Sequence, residues 1–197
     1  MIVRLENVKS SNRLERLSDT LLITGDGKGL PGDLATFLEK AIPHDVMCIG
    51  RSIKLYPGRV HHYADIDADN DKWVLENLLK NNPDKGSPLI HTIGVVDWVD
   101  ECWSIVGCTE SLEDCMWHGS TALFAVYVGL EMGYSKIVLA GCPLDSKGHW
   151  YFQSETSGPK WTYQGYQAWF EFKGFDDRSC RVSSLSGYTK ILLGGDF

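Results

Sequence analysis

A chain of 197 residues, 43% of them hydrophobic, can bury one sizeable core, and its length predicts one domain over 1–197. The net charge of -7 gives no general attraction to nucleic acid or to an anionic membrane surface, because phosphate binding needs concentrated Lys and Arg. No nucleic-acid partner is therefore expected.

In chain order, TLLITG (20–25) is the first strand candidate and breaks into the glycine-rich GDGKGLPG. DLATFLEKAI follows, with Leu34, Phe37, Leu38 and Ala41 on one helical stripe. DVMCIG (45–50) and RVHHYAD (59–65) are the next strands, and NDKWVLENLLKNN reads as a helix with Trp73, Leu75, Leu78 and Leu79 inward. PLIHTIG (88–94) is another strand. STALFAVYVGLEMGY is the strongest helix, with Ser120 or Thr121 as its cap and Gly133 as a left-handed stop, and KIVLAG (136–141) follows at once. From 146 to 178 the chain is crowded with Trp, Tyr, Phe, Ser and Gly, which predicts an aromatic-rich lid or insertion. The tail SCRVSSLSGYTKILLGGDF predicts a last strand and a short helix from Ser184 or Ser186 to Leu193.

Short apolar strands alternating with helices predict an α/β domain with a mainly parallel sheet buried on both faces, a three-layer Rossmann-like arrangement. No secretory signal opens the chain, and the most apolar run, ALFAVYVGLEMGY, is short for a membrane span and holds Glu131. No span and a cytoplasmic location are expected. The six cysteines form no C-x-x-C pair and read as reduced thiols; Cys102, Cys108, Cys115 and His118 match no familiar zinc spacing, so no metal ligand is assigned.

A strand that ends in glycines and leads into a helix can aim backbone amides and the positive helix end at a phosphate. Gly25, Asp26, Gly27, Lys28 and Gly29 stand at such a bend, and a plain strand-to-helix turn explains the same glycines. Asp26 would repel a phosphate, so a sugar hydroxyl or the loop backbone suits it better, with Lys28 offsetting its charge. Arg51 and Lys54 are candidate anion contacts, against the alternative of a solvated loop face. Asp65, Asp67 and Asp69 admit Mg²⁺ or a loop-capping role.

Taken together, LLITGDGKGL, HGSTALFAVYVGLEMGYSKIVLAGCPLD and GHWYF resemble the Rossmann-like bacterial sialyltransferase and 6-hydroxymethylpterin diphosphokinase-like families. The likeness covers roughly residues 20–50 and 117–152, with Asp26 for Asn, Lys28 for Pro and Gly29 for Ser in the loop motif. It implies a nucleotide held by Gly25 to Gly29, by Gly119, Ser120 and Thr121, and near Gly141 and Asp145, where Pro143 stands in the place of the family's aspartate. It further implies a transferase using a nucleotide-sugar donor, CMP-linked in the sialyltransferase case, with Tyr151 on the departing phosphate. The family's later histidine base has no counterpart beyond His149, which leaves His149 or His118 as the general base. A diphosphokinase-like transferase with ATP and Mg²⁺ and a catalytically inactive nucleotide-binding protein are the alternatives. The Ser184-Leu185-Ser186-Gly187 tail adds a likeness to small phage or prophage proteins. The acceptor and any homo-oligomer stay open.

Overall fold

A computed structural model of the chain describes residues 4–10, 16–66, 68–105, 120–145 and 159–197. Its strands and α-helices are β1 Leu5–Lys9, β2 Thr20–Thr24, α1 Leu30–Leu38, β3 Asp45–Ile49, β4 His62–Ala64, α2 Ala68–Lys80, β5 Leu89–Ile93, β6 Glu101–Ile105, α3 Thr121–Glu131, β7 Lys136–Ala140, α4 Pro159–Phe175, β8 Val182–Ser184 and α5 Gly187–Leu193. The strands make one sheet in the order β1-β6-β5-β4-β3-β2-β7-β8. Among the described strands only β1 runs antiparallel to its neighbour, and every other pair is parallel. The α/β class and the mainly parallel sheet expected from the sequence are present.

Alternation along each strand divides the core into two. Leu21, Ile23, Met47, Ala64, Ile93 and Trp103 meet α3 and α4 on one face. Leu22, Val46, Cys48 and Tyr63 meet α1 and α2 on the other. A strand covered on both faces is mostly apolar along its length, which is why the LLI of β2 and the IVLA of β7 stood out in the sequence.

In α1, Leu34 and Phe37 are buried as expected, but Ala41 lies beyond the helix and is exposed. In α2 the inward stripe is Leu75 and Leu78, whereas Trp73 is 73% exposed. At about 100° per residue, Trp73 lies roughly 200° from Leu75 and so points away from the sheet. Helix α3 starts with Ser120 Oγ accepting from the Leu123 amide at 3.3 Å, and Gly133 ends it at φ 84. Its residues from Leu123 to Leu130 are all buried, which a helix lying across β1 to β4 requires.

Residues 146–158, 13 of the 33 in the expected lid segment, lie outside the described residues. The remainder is mostly α4, and Ala168, Trp169 and Phe172 enter the core of the α3 face. Among the described residues no helix is long and apolar enough to cross a membrane.

Candidate functional site

Among the described strands the order reverses once. From β2 the chain steps through β3, β4, β5 and β6 to one side, while β7 and β8 lie on the other. In open parallel sheets, loops leaving the carboxyl ends of two strands at such a reversal head to opposite faces, and ligands bind between them. Here the loop after β2 leads to α1 on one face, and the chain after β7 leads to α4 on the other. Helix α3 joins β6 to the parallel β7, so it runs against the strands and brings Ser120 and Thr121 to the same carboxyl edge.

The two loops at the reversal are stitched together. The Gly25 amide donates to the Ala140 carbonyl and the Gly27 amide to the Gly141 carbonyl, both at 2.8 Å. A Cβ on Gly25 would stand 2.6 Å from Cys142 Sγ, and one on Gly27 would stand 2.7 Å from the Gly141 oxygen and would run into the Pro143 ring. Glycine is needed at both positions because another backbone passes this close. The sequence leaves these amides to an anion or to a plain turn; in the structure the end of β7 takes the Gly25 amide and the loop after it takes the Gly27 amide.

Asp26 is half-buried, and its Oδ2 accepts from the Arg51 amide at 2.9 Å. The carboxylate thus holds the 3-10 turn Gly50–Lys54 that follows β3, the loop-backbone role expected of it. Ser52 and Ile53 anchor that turn inside while the Arg51 and Lys54 side chains are exposed. Lys28 is exposed one loop away, and Asp145 is half-buried at the end of the loop after β7. The sheet edge therefore gathers Gly25 to Gly29, Arg51, Lys54, Gly141, Asp145, Ser120 and Thr121. Gly119, His118, His149 and Tyr151 fall outside the described residues, as does Asp67. Asp65 is half-buried after β4, with its amide on the His91 carbonyl.

One residue at this edge escaped the sequence reading. Asp33, in the first turn of α1, is 8% exposed, and its Oδ2 accepts from the Gly141 amide at 2.8 Å and from Ser186 Oγ at 2.6 Å. It ties α1, the loop after β7 and the start of α5 to one carboxylate. An acid in the first turn complements the helix dipole, and that was the available signal. Thr189 strengthens the same junction by donating to the Cys142 carbonyl at 2.7 Å.

The edge can attract a small anion through exposed Lys28, Arg51 and Lys54. Thiolate chemistry is excluded nearby, because burial pushes Cys48 up to about 12 and raises Cys142 as well, so both stay thiols near neutral pH. Comparison with protein-family models, with curated proteins and with solved structures gives no match for the chain.

Proposed function

We propose that the chain is a Rossmann-like, nucleotide-dependent transferase that holds its nucleotide at the carboxyl edge between β2 and β7, with a sugar nucleotide as donor. The observation that carries this reading is the single reversal of strand order, because the glycine loop, the turn bearing Arg51 and Lys54, and the Gly141 to Asp145 loop all leave the sheet there. Since Gly25 and Gly27 donate within the protein, phosphate contacts fall to Lys28, Arg51 and Lys54 and to the start of α3 at Ser120 and Thr121. Donor chemistry rests on the resemblance to the sialyltransferases, whose tyrosine on the departing phosphate is matched by Tyr151; their later histidine base has no counterpart here, and His149 or His118 takes the acceptor proton in its stead.

Calorimetry with CMP, UDP, GDP and ATP and with the corresponding sugar nucleotides, each with and without Mg²⁺, tests the reading. Metal-independent binding of a cytidine nucleotide is the expected result, weakened about tenfold in the Lys28→Ala, Lys54→Ala double variant. ATP binding that needs Mg²⁺ would favour the diphosphokinase-like alternative instead. Binding without turnover of a sugar nucleotide would leave an inactive binding protein, and silence with every nucleotide would overturn the proposal.

A further inference from the structure

Beneath the C-terminal end of α3, five side chains form an unbroken hydrogen-bonded chain. Trp103 Nε1 lies 3.2 Å from His91 Nδ1, His91 Nε2 lies 3.1 Å from His62 Nδ1, His62 Nε2 lies 3.3 Å from the Tyr134 hydroxyl, and that hydroxyl lies 2.8 Å from Asp45 Oδ2. None of the five residues is more than 4% exposed. Tyr134 sits in the turn just after α3, whereas the other four are on β3, β4, β5 and β6.

The chain has one direction. An indole N–H only donates, so His91 Nδ1 is a bare acceptor and the His91 proton is on Nε2. That N–H points at His62 Nδ1, which places the His62 proton on its own Nε2, facing the Tyr134 oxygen. The hydroxyl then donates to the Asp45 carboxylate, which only accepts and also takes the Leu17 amide at 2.9 Å and the Ser18 amide at 3.1 Å. Both ends enforce the same polarity, and all four imidazole nitrogens are committed.

We infer that this chain is an acid-sensitive latch, which fastens the turn after α3 to the sheet while both imidazoles are neutral and lets it go when either takes up a proton. A proton added to Nδ1 of His91 faces the indole N–H, and one added to Nδ1 of His62 faces the His91 N–H. Either way a donor opposes a donor, a bond is lost, and a charge is left in the core. Burial acts in the same sense, pushing His62 down to about 4 and His91 well below the usual histidine range.

The surrounding charges do not reverse this. Asp45 from β3 and Glu101 from β6 favour an imidazolium at His62, and His61 on the approach to β4 opposes it; burial outweighs them all. Glu101 is beside His91 in register and accepts from Asn7 Nδ2 of β1 at 2.6 Å. Arg16 stands over the Tyr134 ring at 5.9 Å, and the acid of α3, Glu131, is bound by Arg178 at 2.7 Å.

Native-state hydrogen exchange between pH 7 and pH 5 tests the latch at the amides of Met132, Gly133 and Tyr134, which bond to the Val128, Leu130 and Gly129 carbonyls. Below pH 6.5 their protection is expected to fall toward a limit of about tenfold per pH unit for one proton taken up, and at every pH to stay below that of the β2 and β7 amides, which open only with the whole sheet. Protection at the turn equal to that of the β2 and β7 amides at every pH would overturn the latch in favour of global acid unfolding. The His62→Gln variant, whose amide donates and accepts without titrating, should keep only the shallower pH dependence due to His91, and an undiminished wild-type dependence in it would refute the inference. If that variant does not fold, nitrogen NMR of the wild-type imidazoles decides. Both must carry the proton on Nε2 at pH 7, and an Nδ1 proton on either, or titration near the ordinary histidine value, rejects the latch.

Discussion

Asp33 shows what a single carboxylate does at the sheet edge. It receives the Gly141 amide and the Ser186 hydroxyl from segments more than a hundred residues further along the chain, in a site 8% exposed. Asp33→Ala should cost about 2–3 kcal/mol in urea unfolding, because it leaves a buried amide without its charged acceptor; Asp33→Asn should cost less. Gly25→Ala should cost about 1–3 kcal/mol in the same measurement, since its Cβ would stand 2.6 Å from Cys142 Sγ and 2.8 Å from the Gly141 oxygen. The bend was legible from residues 25–29 alone. Its cause was not, because the backbone that forces glycine there comes from residues 140–143, and nothing local in GDGKG records that neighbour.

Legibility at the level of elements followed burial. Strands β2, β3, β5 and β7 announced themselves because both faces are covered, so their sequences are almost wholly apolar. β1 and β6 did not: LENVK presents Glu6 and Val8 outward, and ECWSI opens with Glu101, an acid that is fully buried and met by Asn7 from the adjoining strand. The pairing partner excuses the charge, and a partner is a fact of topology rather than of local pattern. Helix α4 was hidden for a different reason, since its aromatic residues on both faces look like loop composition. The structure separates them: Trp169 and Phe172 are buried at 1% and 2%, and Phe170 is 59% exposed. Truncating Trp169 or Phe172 to Ala should therefore cost about 3–5 kcal/mol, whereas Phe170→Ala should change stability by less than about 0.5 kcal/mol. Equal losses at 170 and 172 would mean that α4 does not present these faces.

At the scale of the molecule, the buried histidines among the described residues begin the loss of stability on acidification at a higher pH than the carboxylate of Asp176 does. His61, His62 and His91 all have their pKa lowered, each with burial as the largest cause. A histidine depressed in the folded state binds fewer protons there than in the unfolded chain, so its contribution is fully present above the unfolded value near 6.5 and is lost as pH falls through the folded value. For His62 that window runs from 6.5 down to about 4, and the loss by its lower end is about 3 kcal/mol, with His91 adding in the same direction. Asp176 enters only lower. Burial opposes its ionisation, but its hydrogen bonds with Arg178 outweigh that and hold it below 3.8, so its contribution survives until pH drops beneath the ordinary carboxylate range. Urea unfolding measured from pH 8 to pH 3 should accordingly show a plateau above about pH 7, a first decline between about 6.5 and 4, and a second below it. Stability that stays level from pH 7 to pH 5 would contradict the buried neutral histidines, and a first decline unchanged in the His62→Gln variant would assign it to other groups.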